Sequence, residues 1–264
     1  MGSDQHLHGL LRWYLAMGVD ETIADEPQVR LADSDPAPRR PVTIPSVAPS
    51  SSINVPTPIS SGAGSAHARK LAEAATTLAE LEAAVGSFDG CALRRTATHT
   101  VFADGTPHAP VMIIGEAPGA DEDRIGKPFV GRSGQLLDRM LAAIGLERKR
   151  NVYITNVLFW RPPGNRKPTD DEIGTCLPFV WRHIALSAPQ LIVLCGGTAT
   201  SALLRRSEGI MKLRGRWFEL AVPGLDQPIH TLTTYHPSFL LRAPARKSET
   251  WHDFLDLQSK IKSS

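Results

Sequence analysis

A glycine-bracketed turn, an asparagine and a histidine, each placed at the end of a short apolar run, are the residues whose types could act on a planar polar ligand. The turn is GEAPGADED, residues 115–123, directly after the apolar run 111–114. Gly115 and Gly119 permit a tight bend that brings backbone N–H groups and the Glu116 carboxylate close to a ligand. Such a turn is also an ordinary strand exit, and no Gly-Lys-Ser/Thr follows it to make a phosphate loop. Asn156 closes VYITN, and its amide offers one acceptor and two donors in a plane, the complement of a nucleobase edge. Turn formation is the other use of an Asn there. His236 opens HPSFLLR, residues 236–242, and can donate a hydrogen bond to negative charge as it develops. Isolated histidines are more often structural.

Two further segments add an aromatic and cations. In GKPFVGRSGQLL, residues 126–137, Phe129 stands in a basic glycine-rich loop that leads into a helix. Its ring could carry a stacked base, a contact of about 1–3 kcal/mol, or fill core. Ser133 near the helix start, with Arg132 beside it, makes a phosphate seat. RPPGNRKP, residues 161–168, concentrates Arg161, Arg166 and Lys167 between prolines, to grip phosphates or to remain solvated. Ser238 and Arg242 join the polyanion contacts. Leu240 and Leu241 are positioned to wedge into a base stack or to pack under a neighbouring helix.

These segments need a scaffold that brings them together. The runs 111–114, 152–157, 191–194 and 230–235 have strand length and β-branched content, bounded by Gly, Pro and Asn. Helical patterns cover 66–85, 133–145, 170–187 and 198–206. Alternation of this kind predicts an α/β fold with a mainly parallel sheet covered on both faces, binding ligands at the carboxyl ends of its strands. Every segment singled out above falls at such an end.

Ahead of this domain, residues 1–18 read as an amphipathic helix carrying Leu7, Leu10, Leu11, Tyr14 and Leu15, and docking is its plainest role. Residues 19–64 are rich in Pro, Ser and Ala and form a linker that cannot bury enough surface to order itself. The domain proper is 65–264. Residues 1–60 hold four basic and seven acidic side chains, so the remaining 25 basic and 20 acidic leave the domain mildly basic, which suits a polyanion partner. No membrane span or signal peptide is visible, so a cytoplasmic protein is expected. Cys91, Cys176 and Cys195 are an odd number without close pairing, which argues against a disulfide framework and reads as reduced thiols.

Taken together, GEAPGADED, GKPFVGRSGQLL, VYITNV with RPPGNRKP, and HPSFLLR resemble the uracil-DNA glycosylase superfamily, most closely its family-4 branch, over roughly residues 86–260. The resemblance implies a three-layer α/β/α sandwich with a short parallel sheet. It also implies a uracil flipped from DNA, stacked on Phe129, read by Asn156 and released with help from His236. Residues 115–119, Ala117 included, shape the pocket. Where the best-known branch has a water-orienting Asp and a thymine-excluding Tyr, this sequence has Ala117 and Gly119, which leaves thymine exclusion unassigned and water to Glu116, Asp121 or backbone groups, Glu116 being favoured by its place beside the turn.

Family-4 enzymes hold an iron-sulfur cluster with four cysteines. Cys91 and Cys176 match two of them, but Phe88 and Trp160 replace the others. The expectation from sequence is therefore no cofactor and no [4Fe-4S] cluster, with large side chains filling its volume. Uracil-containing DNA, single- or double-stranded, is the expected partner, with no obligatory protein partner. The alternatives are a non-catalytic uracil-sensing DNA binder, or a glycosylase for hypoxanthine or xanthine.

Overall fold

The computed structural model describes residues 9, 13 and 63–263. Six strands form one sheet: β1 (Asp104–Gly105), β2 (Val111–Gly115), β3 (Val152–Asn156), β4 (Leu191–Cys195), β5 (Trp217–Leu220) and β6 (Ile229–Thr234), in the order β1-β3-β2-β4-β6-β5. The central four are parallel, and the short β1 and β5 run antiparallel at the edges. The helices are α1 (Ala63–Ala74), α2 (Leu78–Ser87), α3 (Ala120–Ile125), α4 (Arg132–Ala143), α5 (Asp170–Ser187), α6 (Gly197–Leu204), α7 (Ile210–Leu213), α8 (Pro237–Arg242) and α9 (Lys247–Ser263).

Strand pleating sorts the core into two layers. Met112 and Ile114 of β2 join Tyr153, Ile192 and Leu194 on the face covered by α1, α2, α5 and α6. Their neighbours Val111 and Ile113 join Val152, Ile154 and Val193 on the face covered by α4, α8 and α9. Every residue of β2 and β4 is buried, so these two strands read as continuous apolar runs rather than alternating ones. The three-layer α/β/α expectation is met.

The single helical pattern over 66–85 is in fact two helices. The chain breaks at residues 75–77, and Thr77 caps α2 by accepting from the Glu80 amide at 3.2 Å. The α5 helix starts with a reciprocal cap, the Glu172 amide donating to Thr169 and the Thr169 amide donating back to Glu172. No described helix is long and apolar enough to cross a membrane. Apart from Gly9 and Trp13, the predicted N-terminal helix and the 19–62 part of the linker lie outside the described residues. Those two are helical, and Trp13 is buried against Trp251 of α9 with ring centroids 5.5 Å apart.

Candidate active site

Register places the site. Gly115 pairs with Asn156 across β2 and β3, and Cys195 with Thr234 across β4 and β6, so the four central strands end together and their exit loops converge. Between those loops lies a cleft of about 400 Å³ lined by Glu116, Ala117, Gly119, Phe129, Ser133, Asn156, Arg166, His236, Ser238 and Arg242. All ten are candidate residues of the sequence reading. Pro118, Glu122, Pro162 and Asn165 complete the wall. Arg132, Arg161 and Lys167 do not line it.

Asn156 is 1% exposed, and its Oδ1 finds no hydrogen-bond partner among the described residues. Leaving a buried acceptor unpaired costs about 1–3 kcal/mol, so a donor from a ligand has something to complete. Gly115 makes room for this atom. A Cβ there would lie 2.4 Å from Asn156 Oδ1 and 2.5 Å from the Phe129 ring, so no larger residue permits that three-way approach.

Phe129 sits at φ 53°, a left-handed conformation that costs a non-glycine residue roughly 1–2 kcal/mol. Its neighbours supply the constraint. The Glu122 carboxylate accepts from the amides of Val130 at 2.9 Å and Gly131 at 2.8 Å, while its other oxygen accepts from the Gly119 amide at 3.1 Å. One carboxylate thereby ties the Gly119 turn to the Phe129 loop. Gly134 lets the α4 helix begin against this loop, because a Cβ there would fall 1.8 Å from the Phe129 carbonyl oxygen.

His236 caps α8, its Nδ1 accepting from the Ser238 amide at 3.1 Å and approached by the Ser238 hydroxyl at 2.8 Å. A backbone N–H can only donate, so Nδ1 is an acceptor and the ring proton resides on Nε2. Burial and then the nearby Arg242 charge push the imidazole down to about 4, which keeps it neutral near pH 7. The ring stacks against Phe129 at 5.4 Å between centroids and 27° between planes. Ser238, expected at the DNA, is committed to orienting this histidine.

Glu116 accepts a hydrogen bond from Thr198, at the start of α6, at 2.5 Å on Oε2. Its backbone carbonyl accepts from Leu158. Sequence reasoning missed Thr198 and Glu122 because each acts through a partner that only the fold brings near. Arg166 reaches the cleft as half of a two-pronged pair with Glu172, at 2.6 and 2.9 Å, which anchors its loop to α5. Arg161 donates to Asn165 at 2.7 Å.

The leucine pair needs correction. HPSFLLR is a helix with Pro237 at its first position rather than an exposed loop. Helical spacing turns Leu240 into the core, fully buried, which removes it as a wedge. Leu241 is 37% exposed.

A parallel α/β sheet whose carboxyl end gathers a strained aromatic, an orphaned amide and a neutral imidazole defines a protein built to hold a planar hydrogen-bonding ring. The comparisons give it a family. The family model for the uracil DNA glycosylase superfamily matches residues 102–255. The type-4 uracil-DNA glycosylase of Pyrobaculum aerophilum is 37% identical over 180 residues, 67% of this chain and 90% of that one. That of Archaeoglobus fulgidus is 38% identical over 168 residues, 62% and 83% of the two chains. The Thermotoga maritima protein is 38% identical over 153 residues, 58% and 77%. The chain belongs to the uracil-DNA glycosylase superfamily, and its relatives place it beside type 4.

That placement overturns the expectation of no cofactor, because type-4 uracil-DNA glycosylases are iron-sulfur enzymes. Of the ligand positions, Cys91 and Cys176 are both buried free thiols. At the other two, Phe88 and Trp160 stack at 6.4 Å, and the Trp160 indole donates to Thr100 at 3.0 Å. Two thiols and two aromatic rings are not the four-thiolate set that a cubane requires.

Proposed function

We propose that the cleft receives a uracil flipped out of DNA and that this chain hydrolyses the bond between its N1 and the sugar C1′, opening base-excision repair. The observation that carries this reading is the buried, unpaired Oδ1 of Asn156. Uracil supplies the missing donor from N3–H and accepts from the Asn amide at O4. Cytosine has an amine at position 4 and no N3–H, so it would leave these buried groups unpaired. Flipping costs a few kcal/mol and least at a mispaired base, which favours deaminated sites.

As the N1–C1′ bond breaks, its electron pair leaves with the base and collects mainly on O2. His236 presents a neutral Nε2–H there, an effect of about 3 kcal/mol in comparable oxyanion sites. The sugar is left as a cation, which water attacks at C1′, and the proton that water gives up balances the uracil anion, released as neutral uracil. Glu116, held by Thr198, is the carboxylate that orients that water and stabilises the positive sugar. Ser133, Arg166 and Arg242 of the cleft wall contact the phosphates, joined by Arg132, Arg161 and Lys167 from the same segments of chain, with Leu241 at the vacated stack. The substrate is uracil in single- or double-stranded DNA, processed in the cytoplasm without an obligatory protein partner.

The test is a panel of labelled oligonucleotides carrying uracil, hypoxanthine, xanthine or a thymine mismatch, each treated with protein and then cleaved by alkali. Strand breaks at uracil are expected. None at any enzyme excess would leave only a DNA-binding role, and breaks confined to hypoxanthine or xanthine would reassign the base.

A further inference from the structure

One arginine outside the cleft has every hydrogen-bonding edge engaged around the loop that carries Phe129. Arg148 lies between α4 and β3, and its side chain is only 13% exposed. Nη1 donates to the Pro128 carbonyl at 2.8 Å and Nη2 to the Phe129 carbonyl at 2.6 Å. The same guanidinium donates to Asp104 of β1 at 2.9 Å, and to Asp138 of α4 at 3.1 and 3.2 Å. A planar fork of fixed donors can meet two adjacent carbonyls and two carboxylates at once, whereas a lysine ammonium cannot.

The geometry gives this a purpose. Phe129 is held in a left-handed conformation that its own sterics oppose. Glu122 holds the amides that follow it, and Arg148 holds the carbonyls of Pro128 and of Phe129 itself. The strained residue is gripped on both sides by groups of opposite charge, each matched to the backbone dipole it meets. The two aspartates fix the guanidinium to β1 and α4, so the loop is referenced to the sheet and to the helix that flank the cleft. Without the fork, φ at 129 relaxes toward the ordinary region and the ring swings off the base.

We infer that Arg148 is a positioning residue that holds Phe129 in its base-stacking orientation. This rests on the stacking role given to Phe129 above, and the test separates the two. Compare kcat/KM on uracil-containing DNA for the wild type, Arg148→Ala, Phe129→Ala and the double variant. Should Arg148→Ala fail to accumulate as folded protein, Arg148→Lys carries the same cycle, since it keeps the charge and loses the fork. The Arg148 substitution is expected to lower kcat/KM about tenfold in the wild-type background, within the range one base stack provides, and to have no further effect once Phe129 is Ala. Affinity for DNA already holding an abasic site, where there is no base to stack, should stay unchanged.

Equal losses in both backgrounds, or a matching loss of abasic-site affinity, would overturn the role of Arg148. Wild-type kcat/KM in Phe129→Ala alone would instead defeat the stacking reading.

Discussion

The end of β3 and the loop that leaves it supply two regions that solve opposite problems with residues four positions apart. Asn156 enters the cleft, where its buried Oδ1 has no partner. Trp160 enters a packed layer where its one donor is satisfied by Thr100 and its ring meets Phe88 at 6.4 Å and Phe159 at 6.1 Å. Phe88 is also edge-on to Phe179 at 5.1 Å. The packed region lowers the energy of the native state by filling space. The cleft raises it, with an orphaned acceptor and a left-handed phenylalanine, costs tolerated because a bound base completes the first and uses the second.

If that division is right, substitutions in the two regions should fail differently. The largest expected effect is in the packed region: Phe88→Ala should cost about 3–5 kcal/mol of stability by leaving a cavity, seen as a lowered denaturant midpoint. Its kcat/KM per folded molecule should be retained. A loss of turnover at unchanged stability would erase the distinction. Next, His236→Ala should lower kcat about 10²-fold or more, as removal of one oxyanion donor does, while the midpoint stays within about 1 kcal/mol of wild type. Parallel losses of stability and turnover there would mean that the histidine belongs to the packing.

A smaller effect falls on Thr198. Thr198→Val keeps the shape and removes the hydroxyl that holds Glu116, and roughly tenfold in kcat with KM unchanged is expected, about the worth of one hydrogen bond to a charged group. Thr198→Ser should restore the rate. Val with full activity would leave Glu116 without a role in water placement.

Much of the cleft was legible because it is local in sequence: a turn, an amide and an imidazole directly after apolar runs, at the strand ends where α/β proteins bind ligands. Its supports were not. Glu122, Arg148 and Thr198 act on residues 8 to 82 positions away, and only the fold reveals those contacts. Strand β5 escaped notice because it is an edge strand, its Trp217, Phe218 and Glu219 all at least partly exposed. Leu240 and Leu241 could not be told apart until the helix set one inward. The cofactor expectation was drawn from Phe88 and Trp160 at two of the four ligand positions, and the type-4 placement runs against it.

The last contrast is between two histidines, one on each side of the division. His236 lines the cleft and is pushed down to about 4; His183 is fully buried, stacks on Phe102 at 4.2 Å and is pushed down to about 3 by burial. Both are neutral in the native state, whereas in the unfolded chain a histidine gains its proton near pH 6.5. The unfolded state therefore binds more protons from pH 6.5 down to about 4 for His236 and about 3 for His183, so the stability each contributes is complete above pH 6.5 and declines as pH falls through its window. Activity should behave differently. Of these two histidines only His236 takes part in the reaction, so kcat/KM should show no acid limb from this group at 6.5, its loss beginning only as pH approaches about 4. His183→Phe should flatten the stability slope between pH 6.5 and 4 and leave the pH–rate profile where it was. An acid limb at 6.5 in the wild type, or one that moves in His183→Phe, would break the neutral-imidazole assignment and the separation of cleft from core.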